Sequence, residues 1–191
     1  MLLTEFKVGL DAYLATTPAA VKTRTLADVI AFNERHAARE MALFGQDTLV
    51  KAQATKGVSD PAYIAARALS LRLAGKDGID AILAATNTVA LVAPTMPPAW
   101  LIDAVNGDQS SGGGAGSLAA VAGYPHLTVP MGAVRGLPVG LSLIGPAWSE
   151  ARLLGLGYAY EQGAKVRLTP SFAASVEASP AVAPLLRPAA K

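Results

Sequence analysis

Residues 108–117 read DQSSGGGAGS. Two adjacent serines, Ser110 and Ser111, run into three glycines, and Ser117 follows. A hydroxyl is a weak nucleophile until a neighbouring base takes its proton. Backbone N–H groups of a glycine-rich loop can then hold the oxyanion that forms. The stretch therefore has the composition of an acyl-transfer loop. It also has the composition of a conformationally free connection, because Gly and Ser populate turns for backbone reasons alone. A base is harder to find. Lys51, Lys56 and Lys76 precede the stretch, each in a solvated, helix-end or loop context. His126 opens a strand with no carboxylate at a recognisable spacing, and His36 falls on the polar side of a helix. Asp103 and Asp108 flank Asn106. They suit loop capping by Asp and Asn, and a role facing a substrate stays open for them.

The composition narrows the function classes. The chain has 191 residues, 52% of them hydrophobic and 16% charged, against roughly 25% charged in an average soluble protein. Such a chain can bury a sizeable core, and it can also bury surface against another polypeptide. Its net charge is +2 and its basic residues are scattered, which gives no footprint for nucleic acid. It contains no cysteine, so disulfides, thiolate metal sites and cysteine nucleophiles are excluded. The two histidines stand in no metal-ligand spacing, and nothing calls for a cofactor. No apolar run reaches the length of a membrane span, and the N-terminal residues lack a basic signal-peptide region. The expectation is a cytoplasmic protein.

The elements that must position these residues follow from periodicity and punctuation. Leu2, Leu3, Phe6, Leu10, Tyr13 and Leu14 have helical spacing, yet the helix begins at Met1 without a capping residue. It reads as the interior of a longer polypeptide. Thr25 with Asp28 forms a capping-box pattern opening a helix to about Glu40. A short helix closed by Gly57 follows. Asp60 and Pro61 open a long helix with a kink expected at Gly75–Gly78. The run at 89–95, VALVAPT, fits a strand buried on both faces. Residues 97–108 form a loop or short helix, and GAGSLAAVAGYP forms a small-residue helix with Gly123 just past its end. HLTVPMG and PVGLSLIG are two strand-like runs joined by a turn at Gly136. Ser149 caps a last helix, with Trp148 packing where that helix begins. The composition of residues 173–191, rich in Ala and Pro, predicts a disordered tail. About three strands make a poor sheet alone, so the expected class is α/β with helices around part of a larger, mixed and here incomplete sheet.

At residues 91–145 the sequence becomes specific. LVAPTMPPAW, then NGD, then AAVAGYPHLTVPMGAVRGLPVGLSLIGPAWSEARLL resembles the C-terminal part of the amidase signature family. Upstream, LLTEFKVGLDAYLA, RTLADVIAFN and GQDTLVKA resemble the middle of that family in its peptide-amidase-like branch. Residues 1–172 would thus be the C-terminal portion of one amidase signature domain. The glycines and prolines of the match shape backbone. Pro130, for instance, must end or bulge its strand.

The resemblance implies hydrolysis of carboxamide bonds by a serine nucleophile, a relay serine in a cis peptide and a lysine base. In the family these lie in an N-terminal half that this sequence does not match. Ser110–Ser111–Gly112 stands where the family has a variable connection, so the resemblance assigns it no catalytic role, and no catalytic residue is expected in this chain. Loops beyond strand ends often line pockets, and the resemblance implies that Thr95, Met96, Trp100 and Asn106 wall a substrate site. The expected partners are a small-molecule or peptide amide and a complementary N-terminal amidase half. The alternative is a non-catalytic, pocket-forming partner or binding domain.

Overall fold

The computed structural model describes residues 1–101, 103, 105–110, 112–170, 175, 178–182 and 184. Most of the tail expected at 173–191 lies outside the described residues. Helix α1 spans Leu2–Ala15. Arg24 fastens its end, donating to Leu14 O (3.1 Å) of the last turn and to Thr17 O (2.7 Å) and Pro18 O (2.9 Å) just beyond it. A cation at a helix C-terminus satisfies orphan carbonyls in this way. Helix α2 (Leu26–Arg35) opens on the capping box read from the sequence, with Thr25 accepting from Asp28 N–H and Asp28 accepting from Thr25 N–H. The expected single helix to Glu40 is interrupted at His36, after which α3 covers Ala37–Glu40. His36 is exposed, as expected, but not within a continuous helix. It sits at the break, its ring centroid 4.5 Å from that of Phe32. Helix α4 (Asp47–Gln53) completes this end of the molecule by packing on α1 and α2.

Asp60 accepts from Ala62 N–H (3.0 Å) at the start of α5 (Pro61–Ala74). The expected kink is a widened π-helical turn at Gly75–Asp80, leading into α6 (Ala81–Thr86). Gly78 is sterically required there, and Gly75 has little room to spare. A Cβ on Gly78 would lie 2.5 Å from Leu73 O, and one on Gly75 would lie 3.2 Å from the Tyr124 hydroxyl.

The sheet contains β1 (Leu91–Pro94), β2 (His126–Val134) and β3 (Leu137–Ile144), in the order β1-β3-β2 with antiparallel pairings. Helix α7 (Gly116–Ala122) lies between β1 and β2 in the chain and ends at Gly123, φ 73°. The β2–β3 turn places Arg135 (φ 52°) and Gly136 (φ 81°) in the left-handed region, the geometry that matches the twist of a two-residue hairpin. β2 bulges between Pro130 and Gly132, where proline cannot donate to the ladder. β1 departs from expectation. Its burial alternates and Val92 is 64% exposed, because the described residues cover only part of its surface.

One face of the sheet carries α8 (Glu150–Ala164). Leu153 is buried there, and Gly157 approaches so closely that a Cβ would lie 2.5 Å from Leu127 Cδ2. The opposite face meets the π turn, α6 and α7 through Ile79, Leu83, Ala119 and Ile144. Two expectations at the start of α8 fail. Ser149 occupies the cap position, but its hydroxyl donates backward to Pro146 O (2.7 Å). Trp148 does not pack; it is 92% exposed at φ 62°.

Asp11 is the principal tie between α1 and α2. It accepts from Lys7 Nζ (2.8 Å) and from the N–H of buried Leu26 (2.7 Å). The Lys7 hydrogen bond is the chief reason its carboxyl is held below the ordinary value, with the Leu26 N–H adding to it against partial burial. Asp11→Ala orphans the Leu26 N–H and is expected to cost about 1–3 kcal/mol in urea unfolding at neutral pH. A depressed carboxyl stabilises fully above its unfolded value of about 3.9 and loses that contribution as pH falls through the lower folded value. The gap between wild type and variant should therefore shrink below about pH 4.

Candidate functional site

Side chains two apart on a strand share a face. His126 and Thr128 thus point the same way from β2, and register places Thr128 opposite Ser142 of β3. Ala93 of β1 lies opposite Ser142 from the other side. Thr95, two residues on, extends the pairing by donating its N–H to Gly140 O (2.7 Å). Three segments distant in sequence therefore deliver four polar side chains to one patch. His126 Nε2 is 2.6 Å from Ser142 Oγ, Ser142 Oγ donates to Thr95 Oγ1 (2.9 Å), and Thr95 Oγ1 is 2.6 Å from Thr128 Oγ1. Ser142 is wholly buried. The chain closes over Gly140, where a Cβ would lie 2.6 Å from Thr128 Oγ1 and 2.8 Å from Thr95 Oγ1.

Thr95 O also accepts from Ala115 N–H (3.0 Å), bringing the segment before α7 against the end of β1. The two enclose an open cleft of ≈ 680 Å³ lined by Met96, Gly114, Gly116, Ser117, Ala120, Tyr124 and His126. The Tyr124 hydroxyl donates to Asp80 Oδ2 (2.7 Å). That bond raises the phenol above its ordinary value, and partial burial adds to the effect. The wall beside the histidine is thereby fixed to the π turn.

The structure brings together only part of the residue set read from the sequence. Thr95 belongs to the polar chain and Met96 to the cleft wall. Trp100 and Asn106 are not among the described residues that line the cleft. Asn106 is bound into its own loop. Asp103 Oδ1 accepts from the N–H groups of Val105 (2.9 Å) and Asn106 (2.8 Å), and Oδ2 accepts from Asn106 Nδ2 (3.0 Å). These bonds, the Asn106 N–H first, hold the Asp103 carboxyl below its ordinary value. This is the loop-capping use of Asp. Ser110 donates to Gly112 O (3.3 Å), and Ser111 lies outside the described residues. Lys51 pairs with Asp47 on exposed α4. Among the described residues no cluster of His, Cys, Asp and Glu could hold a metal ion. Sequence reasoning missed Thr128, Ser142, Ser117 and Tyr124. The available signal was His126-x-Thr128, two polar residues on one face of an apolar strand.

No family model matches the chain. It is 31% identical over 91% of its length to a protein of Arabidopsis thaliana described as a probable amidase, of which it covers 30%. The peptide amidase of Stenotrophomonas maltophilia superposes with a TM-score of 0.80 at 51% identity, over 91% of this chain and 34% of that one. An amidase family protein of Bacillus anthracis superposes with a TM-score of 0.69 at 29% identity, over 88% of this chain and 30% of that one. The chain belongs to the amidase signature family. It spans about a third of the length of these amidase signature relatives at most. The α/β class is that of the amidase signature fold, and the described three-stranded sheet corresponds to part of it.

The polar chain of this amidase signature segment depends on the open space at Gly140. Gly140→Ala is expected to lower stability by about 1–3 kcal/mol, read from urea unfolding, and to shift the Thr95 and Thr128 methyl resonances together.

Proposed function

We propose that this chain forms one wall of a carboxamide-hydrolysing site whose nucleophile, relay serine and lysine base reside on a complementary amidase polypeptide. The amide carbonyl would be attacked by that polypeptide's serine, releasing ammonia or an amine, while Thr95 and Met96 of this chain border the bound substrate. Trp100 and Asn106 remain candidates from the loop beyond β1, acting once that loop is covered.

The observation that carries this reading is the chain's uncovered surface. The accessible area is 13647 Å², whereas a folded monomer of 19.5 kDa exposes about 8,500 Å². Part of that difference lies on described residues of the helices and the sheet. The excess is apolar in character. Ile64, Leu69 and Leu73 of α5, Val92 of β1 and Leu154 and Tyr158 of α8 are all exposed. Among the described residues the outer edge of β1 has no strand beside it, a liability for an isolated protein.

Expressed together with the N-terminal two thirds of the Stenotrophomonas maltophilia peptide amidase, the chain should co-purify and release ammonia from a C-terminally amidated peptide. A fluorophosphonate probe should then label the partner polypeptide and leave this chain unlabelled. Turnover by this chain alone, abolished by Ser111→Ala, would instead make the serine–glycine stretch the nucleophile loop.

A further inference from the structure

A hydroxyl has a single proton to donate. Ser142 gives that proton to Thr95 Oγ1. The 2.6 Å contact between Ser142 Oγ and His126 Nε2 must therefore be filled by a proton on the histidine. The chain runs from His126 Nε2 to Ser142 Oγ to Thr95 Oγ1, and either hydroxyl can donate in the last bond, between Thr95 and Thr128. It locks the neutral ring in the tautomer with Nε2 protonated, because the hydrogen bond made by one ring nitrogen sets the state of the other. Nδ1 is left with its lone pair, and it has no hydrogen-bond partner among the described residues.

Nδ1 lies beside a gap in the cleft wall. Gly116 has no side chain, and a Cβ there would lie 3.7 Å from Nδ1 and 3.6 Å from Cε1. Those are ordinary contact distances, so a methyl group would fit and would cover the nitrogen. The rest of the wall is Met96, Ala120 and the Tyr124 ring, with Ser117 as a second polar group. No described carboxylate, lysine or arginine lines the cleft. An ammonium ligand would lack a counter-charge there, and so would a carboxylate. A neutral group with an N–H donor beside an apolar body meets both conditions.

We propose that His126 Nδ1 is the recognition point of this cleft, accepting a hydrogen bond from the N–H of a neutral carboxamide whose apolar portion rests on Met96 and Tyr124. The proposal deepens the amide-site reading and rests on it for the identity of the ligand. The lock on the histidine follows from geometry alone. His126 is here a binding residue, with no part in bond cleavage.

The test uses the ¹⁵N-labelled full chain in mildly alkaline buffer, read by long-range ¹H–¹⁵N correlation of the imidazole. Nε2 should resonate as a protonated nitrogen and Nδ1 as an unprotonated one. Ser142→Ala, which removes the acceptor of the Nε2 proton, should release a mixture of tautomers. Benzamide should move the Nδ1 resonance in the direction of hydrogen-bond acceptance, and methyl benzoate, of similar shape without an N–H, should not. Gly116→Ala should weaken the benzamide response roughly tenfold, the equivalent of one neutral hydrogen bond. Its backbone amide spectrum reports whether the fold is intact, and Ser142→Ala provides an independent variant if it is not. A wild-type ring protonated on Nδ1, an equal response to amide and ester, or no response to either would overturn the proposal. These outcomes are separable from the activity reading. Ammonia release by the two-polypeptide assembly tests where the nucleophile lies, and the imidazole spectrum tests what this cleft binds.

Discussion

A buried hydroxyl needs a partner, because taking it out of water unpaired costs several times what a well-made hydrogen bond returns. Ser142 is such a hydroxyl, wholly enclosed on the central strand. Its partners come from both sides: Thr95 beyond the end of β1, and His126 at the start of β2. This requirement ties the three strands to one register. A slip of one residue would turn Ser142 towards the apolar face under α8 and replace it here with a leucine. The same contacts that satisfy the serine set the mouth of the cleft, since Thr95 also accepts the Ala115 N–H and so positions the segment leading into α7.

Around that constraint the packing is two-sided but thin. Ile79, Leu83, Ala119 and Ile144 fill the space between the sheet and the π turn, while Leu153 and Gly157 bring α8 onto the other face. Helix α5 packs on the π turn and α7 but leaves Ile64, Leu69 and Leu73 exposed. A helix apolar on several faces belongs in the interior of a larger body. The chain spans about a third of its peptide amidase relative, and its apolar helix faces and open β1 edge are what the proposed complementary polypeptide would cover.

Local punctuation was legible. Thr25 with Asp28, Asp60 with Pro61, and Gly123 and Gly136 each act within a few residues, through caps and left-handed turns that depend on the side chain present and little else. The kink at Gly75–Gly78 was legible as a break, but not as a π turn, because its shape depends on Tyr124 arriving from far along the chain. Trp148 and Ser149 were misread for a related reason. A tryptophan before a helix suggests packing and a serine suggests a cap, yet the path out of β3 turns the first to solvent and the second back to Pro146.

Order along the chain was enough for the α/β class, the family resemblance, and the helix and strand punctuation. These follow from periodicity, turn chemistry and composition, which act over short distances in sequence. It took the folded arrangement to reveal that His126, Ser142, Thr95 and Thr128 form one hydrogen-bonded chain. The separation of 47 positions between Thr95 and Ser142 carries no periodic signal linking the two. Strand register closes that distance, and register is set by burial across the whole sheet.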